Sequence, residues 1–364
     1  MKERPRLLVI INRAAARARR AWPVVLETLK QNSISFDAHQ TTHAGDATGR
    51  TREALKGGYN LIAVIGGDGT LSEAAEGFYE FQNNEHQDEE HQRQRTLDDD
   101  EVALHHHSSD LPLPVSKDAA LALLPAGTGD DFARGLLGRR AQTEEWTSML
   151  VAHCLGQIER ERTIDLIYGR ASVSGKRRAG VDEGPRADGA RLQEFISINA
   201  TTLGIGAEVA RRVGAQGEVM RRMSGEVRFM AAALGALAAW RERRVRVVFD
   251  EGEAFESLMN LLAVSNGIYA GGGMMFAPEA RLDDGLMDVV MASGITRATI
   301  LRELPRIRRG AHLSNPRVRL LKTRSLRIET FGPENALAVE ADGNLRGHTP
   351  AEFRIMPKAL RVVV

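Results

Sequence analysis

Two short glycine loops hold the residues best suited to chemistry in this chain. The first, Gly66-Gly67-Asp68-Gly69-Thr70, follows an apolar run at 60–65 and leads into a helical pattern from Leu71. The second, Ala126-Gly127-Thr128-Gly129, follows Leu121 to Pro125 and leads into Asp130-Asp131-Phe132. Glycines let backbone approach a polyphosphate, and the N–H groups and dipole of the following helix favour its negative charge. Asp68 is suited to bind Mg²⁺ directly or through water, and Thr70 to hydrogen-bond a phosphate oxygen. A ligand-free account of the same residues also exists: glycine supplies positive φ in a tight turn, and Asp130 or Asp131 caps a helix for ~1 kcal/mol. Two such loops on one carboxyl edge of a parallel sheet favour a nucleotide-phosphate site over two unrelated turns. Neither G-x-x-x-x-G-K-[ST] nor a βα-unit G-x-G-x-x-G occurs, so a P-loop or a dinucleotide Rossmann site does not fit.

The elements that must position these loops alternate. Leu7 to Ile11 reads as a buried strand, followed by a helical stretch to about Lys30, a strand at 34–40 and a helix at 46–56. A buried strand at 60–65, a helix at 71–81 and a strand at 121–125 complete a doubly wound α/β nucleotide-binding domain, residues 1–160. From 161 to 364 the pattern becomes β-rich, with strands at 195–202, 243–250, 257–266, 287–293, 325–330, 335–341 and 352–357. These predict an antiparallel, β-rich second domain with helices at 218–242 and 298–310. The C-terminal strand is free to return to the first domain. A polar insert at 83–118, with an acidic run and His105 to His107, has too little apolar surface to order itself, and 172–190 reads as a polar loop.

Composition narrows the function. At ~150 residues per domain, 364 residues predict about two domains. A net charge of +1 gives no bulk reason to bind nucleic acid, and one cysteine, Cys154, excludes an internal disulfide and a Cys-based zinc site. The apolar run at 7–11 is too short for a signal peptide, and Phe229 to Trp240, twelve residues, is short of the ~20 a membrane helix needs. The expected location is the cytoplasm, peripheral to the inner face of the membrane. From Arg297 to Arg327 ten basic residues stand against one acid, Glu303, a pattern suited either to an anionic membrane surface or to a solvated face.

In ordered combination these residues resemble a known family. GGDGTLSE and LPAGTGDDFAR, with TTHAGDA at 41–47, Asn199 and TLGIGAEVA, the segment 264–290 and the C-terminal 339–364, are similar to the catalytic domain shared by diacylglycerol kinases, sphingosine kinases and bacterial lipid kinases. The resemblance spans nearly the whole chain outside the two polar inserts, and it implies that 161–364 is an antiparallel, sandwich-like lipid-substrate domain, with the active site in the cleft between it and the α/β domain. It implies ATP-dependent phosphorylation of a lipid hydroxyl at a membrane surface, diacylglycerol being the type acceptor, with ATP and Mg²⁺ as cofactors. ATP contacts would fall on Asn12, Thr41, Gly66, Gly67, Asp68, Gly69, Thr70, Leu71, Ser72, Glu73, Gly127 and Thr128. Asp68 and Asp131 would orient the metal-bound nucleotide. The family's general base corresponds to Asp284, although Asp283-Asp284-Gly285 read alone is also a hairpin turn. Asp342-Gly343 is read as a hairpin turn only.

The chain departs from the family at two places near the nucleotide. The loop after the first strand reads Asn12-Arg13-Ala14-Ala15-Ala16, without the usual proline, hydroxyl and glycine, and Asp130 stands where the family has Asn. Two rival readings stay open: an NAD kinase-like enzyme, which shares a GGDGT architecture, and a catalytically weak nucleotide-binding regulator at the membrane. A homodimer through exposed strand edges is compatible with a β-rich second domain.

Overall fold

A computed structural model describes residues 4–81, 111–157, 160–173, 191–217, 220, 223, 225–250 and 252–364. The first half alternates β1 (Leu7–Ile11), α1 (Ala16–Gln31), β2 (Phe36–Gln40), α2 (Asp46–Lys56), β3 (Leu61–Gly66) and α3 (Asp68–Glu76). It continues with β4 (Tyr79–Glu80), β5 (Leu113–Pro114), β6 (Ala120–Pro125), α4 (Asp131–Leu137) and α5 (Thr143–Cys154). Strands β1, β3 and β6 are almost wholly buried, which explains their unbroken apolar runs. They pair in parallel in the order β2-β1-β3-β6. α1 packs with α5 and α2 with α3. The order reverses between β1 and β3, so the ends of these two strands form a topological switch point, where doubly wound sheets hold ligands.

The second half comprises β7 (Glu161–Val173), β8 (Arg191–Ser197), β9 (Ala200–Gly204), α6 (Ile205–Gly214), α7 (Gly225–Ala239), β10 (Arg243–Phe249) and β11 (Ala254–Ser265). It continues with β12 (Tyr269–Ala270), β13 (Met274–Met275), β14 (Met287–Ser293), α8 (Arg297–Ile307), β15 (Val318–Thr323), β16 (Ser325–Thr330), β17 (Ala338–Ala341) and β18 (Asn344–Val363). Strands β11, β10, β16, β18, β17 and β9 pair antiparallel around a ring. Its interior is an apolar core that includes Phe195, Val245, Leu262, Ile328 and Phe353. The fold is therefore α/β followed by a β-sandwich-like unit, and β18 joins the two: Arg361 to Val363 run parallel to β6.

Three sequence expectations change. The helix after the first glycine loop starts at Asp68 and ends at Glu76, rather than spanning 71–81, because Tyr79 and Glu80 leave it to pair with Leu113 and Pro114. That pairing also orders residues 111–118 at the end of the polar insert, while 83–110, including the histidine triplet, lie outside the described residues. Ser172 and Val173 belong to β7, and the rest of the loop at 172–190 likewise lies outside them.

Candidate active site

The two glycine loops touch backbone to backbone at the ends of β3 and β6. A Cβ on Gly127 would lie 2.6 Å from the Gly67 Cα, and one on Gly67 would lie 3.1 Å from the Gly127 Cα. A side chain at either position would force the loops apart, so glycine is required here by proximity. Asn12, just past β1, anchors the first loop: its Nδ2 donates to Thr70 Oγ1 at 2.8 Å. Thr41, just past β2, donates its N–H to the Ile11 carbonyl at 2.9 Å. Asn12, Thr41, Gly66, Gly67, Gly69, Thr70 and Gly127 are thus gathered at one sheet edge, with Thr128 exposed beside them.

Asp68 reaches across to the second loop. Its carboxylate accepts the Asp131 N–H at 3.1 Å and the Phe132 N–H at 3.2 Å, so the cap of α4 comes from the other loop, not from Asp130 or Asp131. Burial, reinforced by the charge of Asp131, pushes the Asp68 carboxyl up to about 7. Asp131 in turn accepts the Gly272 N–H at 2.7 Å, and burial raises its pKa too. One oxygen each of Asp68 and Asp131 lies within 3.4 Å of the point a Cβ on Gly129 would occupy. Asp131 Oδ1 is buried without a hydrogen-bond partner. Two crowded carboxylates with an orphaned oxygen call for a proton or a cation. Among the described residues no cluster of three or more His, Cys, Asp or Glu forms a metal cage. One or two carboxylates completed by phosphate oxygens is the donor set Mg²⁺ prefers in nucleotide sites, so these residues fit that ion.

Leu71 and Ser72 face inward from α3, and Glu73 is half-buried beside them. The Ser72 hydroxyl donates to Asp342 at 2.8 Å, which gives it a structural partner in the second half. The Asp342 carboxylate also accepts the N–H groups of Ile198 at 2.8 Å, Asn199 at 3.2 Å and Ala200 at 2.9 Å. Asp342 and Gly343 form the two-residue β17–β18 hairpin, with φ of 49° and 92°, as a turn of the I′ type requires. The turn is as expected, but its side chain does more: it ties α3 to the corner between β8 and β9.

The DDG segment lies on the other wall. Asp165 of β7, fully buried, holds it in place by accepting the N–H groups of Gly285 and Lys358, each at 2.7 Å. Asp283 pairs with Arg162 at 3.2 Å and lines a cavity of about 230 Å³ with Phe132, Gly135, Asn199 and Leu282. That cavity runs along α4, the helix whose start Asp68 caps. Asp284 points to Lys322, which donates to Asp284 at 3.1 Å and to the buried Asp288 at 3.2 Å. The two ion pairs raise the pKa of Lys322 in spite of its partial burial. Among the described residues, Asp284 makes no hydrogen bond to either glycine loop. Arg17 of α1 donates to the Gly127 carbonyl, and it, Asp165, Arg162 and Lys322 belong to this site without standing in any local motif. Their roles depend on long-range partners that spacing does not encode.

Both halves of the chain match known families. Residues 6–167 match the diacylglycerol kinase catalytic domain, and residues 200–364 match the YegS C-terminal NAD kinase beta sandwich-like domain. A diacylglycerol kinase of Mycobacterium tuberculosis is 27% identical over 338 residues, covering 91% of this chain and 83% of that protein. A diacylglycerol kinase of Staphylococcus carnosus is 23% identical over 364 residues, covering 100% and 95%. A Xanthomonas axonopodis protein named as a YegS-like lipid kinase is 28% identical over 265 residues, covering 72% and 66%. The crystal structure of a diacylglycerol kinase from Bacillus anthracis shares the fold, with a TM-score of 0.60 at 18% identity, covering 100% of this chain and 98% of that one. Residues 6–167 belong to the diacylglycerol kinase catalytic domain family.

Proposed function

We propose that the chain is an ATP-dependent lipid kinase that transfers the γ-phosphoryl group to a lipid hydroxyl, the acceptor being of the diacylglycerol type. The observation that carries this reading is the contact of the two glycine loops at the switch point, with Asp68 and Asp131 crowded beside it. In this reading the loops and the first turn of α3 receive the phosphates. Mg²⁺, held by Asp68 and Asp131 together with phosphate oxygens, would neutralise charge on the transferring group. The acceptor occupies the cavity lined by Phe132, Asn199 and Asp283. Its hydroxyl oxygen bonds to the γ-phosphorus as the β–γ bridging bond breaks, ADP leaves, and the hydroxyl proton passes to Asp284. Asp165 positions that carboxylate by fixing Gly285. Lys322, bridging Asp284 and Asp288, keeps the base in one orientation.

The reaction would run from the water side of a membrane. Among the described residues no helix is long and apolar enough to cross one, and the basic segment at 297–327 suits an anionic surface. The test is transfer of labelled γ-phosphate from ATP to a lipid panel in mixed micelles, with NAD as a control acceptor. Label on a lipid supports the reading, and label on NAD alone overturns it. A second reading, a nucleotide-binding regulator, is favoured by Asp130 and the Ala14 to Ala16 loop; Mg–ATP binding with no transfer to any acceptor would select it.

A further inference from the structure

Helix α7 is apolar on the side it buries and also on the side it shows. Ala232, Ala233 and Ala236 pack against Val209 of α6. Outward, Val227 is 43% exposed, Met230 44% and Leu234 48%, with exposed Ala231 and Ala238 beside them. Spacings of three and four residues put all five on one face. Single exposed apolar residues need no explanation, but a helix apolar all round normally sits in a core or in lipid. Arg228 is the one charged residue from Val227 to Ala239, and its Nε is turned onto Gln216 at 3.0 Å.

Polarity reverses just past the end of α7. Arg297, the first residue of α8, donates to the Trp240 carbonyl at 3.0 Å and so sets α8 beside that end. Arg241, Arg302, Arg308 and Arg309 are exposed, and Leu301 of α8 is 44% exposed among them. The acid of α8, Glu303, is already paired with Arg306 at 2.9 Å.

We propose that the α7–α8 face is a docking surface for an anionic lipid bilayer, with the α7 stripe at the acyl boundary and the arginines at the lipid phosphates. Its purpose rests on the lipid-kinase reading, since a soluble enzyme must reach an acceptor held in a membrane. Charge complementarity selects the occupant. An anionic bilayer offers phosphates beside an acyl layer, and this face presents cations beside an apolar stripe. The arrangement also adds something the basic segment alone would not: binding requires both helices, and the outer face of α7 enters lipid.

The test is co-sedimentation with phosphatidylcholine vesicles, with and without phosphatidylglycerol, in the absence of ATP. Wild type should bind the phosphatidylglycerol vesicles and bind pure phosphatidylcholine far more weakly. Arg302→Glu with Arg309→Glu should lower binding to the anionic vesicles by about 30-fold or more, given the loss of two arginines. Met230→Glu with Leu234→Glu should also lose binding, although no basic residue changes. All four positions are exposed, and thermal melting checks that each variant folds. Wild type that ignores anionic vesicles, or either double variant binding as wild type does, overturns the proposal. So does a change in molecular mass, without vesicles, when Met230→Glu and Leu234→Glu are combined, which would assign the face to a second copy of the chain. Phosphoryl transfer to a water-soluble short-chain diacylglycerol separates the two claims. Transfer without vesicle binding sinks the surface alone, and vesicle binding without transfer sinks the kinase reading alone.

Discussion

Arg17 and Asp130 grip the same glycine from opposite sides. The Arg17 guanidinium donates to the Gly127 carbonyl at 2.6 Å, while the Asp130 carboxylate accepts the Gly127 N–H at 2.8 Å. Burial pushes the Asp130 carboxyl above its ordinary value, and the Gly127 N–H and the charge of Arg17 oppose that rise. Asp130 stands where the family has Asn, and Arg17 lies one residue past the altered loop Asn12-Arg13-Ala14-Ala15-Ala16. The structure makes them a compensating pair.

That pairing predicts a coupled effect on ATP. Arg17→Ala leaves the Asp130 charge unbalanced beside a polyphosphate and should raise the KM for ATP about fivefold, the scale of ~1 kcal/mol for neighbouring residues. Asp130→Asn in the Arg17→Ala background should recover most of that loss. Steady-state kinetics on the four proteins of the cycle measure it. Effects that simply add would mean the two side chains act independently.

Asp342 should be a stability residue that also carries the first glycine loop. Asp342→Ala strands the N–H groups of Ile198, Asn199 and Ala200 and puts alanine at φ 49°. A cost on the order of 3–5 kcal/mol in urea unfolding follows from unpaired buried donors. Ser72→Ala removes one neutral donor to the same carboxylate and should cost about 1 kcal/mol. Equal costs for the two would contradict the hydrogen-bond inventory.

Glu340 should make stability depend on pH. Burial pushes its carboxyl up to about 7, although Thr202 and the Gly343 N–H favour the charged form. The folded value lies above the unfolded 4.5, so the folded state binds the extra proton between them. Its contribution is therefore full below about 4.5, falls as pH rises through about 7, and is constant beyond. The loss across that window should be on the order of 3 kcal/mol. Glu340→Gln should flatten that part of the profile of melting temperature against pH. A wild-type melting temperature that rises from pH 5 to 7 in step with the variant's would contradict it.

Local sequence made some of this legible and hid the rest for definite reasons. The buried strands β1, β3 and β6 announce themselves because both faces are covered, and the glycine loops because only glycine tolerates their approach. The Asp342-Gly343 turn was readable from two residues. Strand β18 (Asn344–Val363) is readable only over 352–357, because Pro350 and Pro357 interrupt the rest of its pattern. Both prolines fall within the register shifts of its ladder with β7, between His348 and Ala351 and between Met356 and Leu360, where a missing N–H costs little. The cap of α4 was hidden for another reason. Asp68 lies 63 residues from the N–H it accepts, so a local reading could offer only Asp130 or Asp131.

The most direct measurement compares wild type with Asp284→Asn for transfer of labelled γ-phosphate from ATP to diacylglycerol in mixed micelles, with Mg–ATP binding followed in parallel. The account predicts transfer by wild type and a fall of about 10²–10⁴-fold in the variant, the scale of a lost general base, with nucleotide affinity little changed. Transfer that survives the substitution would remove Asp284 from the chemistry. Wild type that binds Mg–ATP and labels no lipid would contradict the assignment as a lipid kinase.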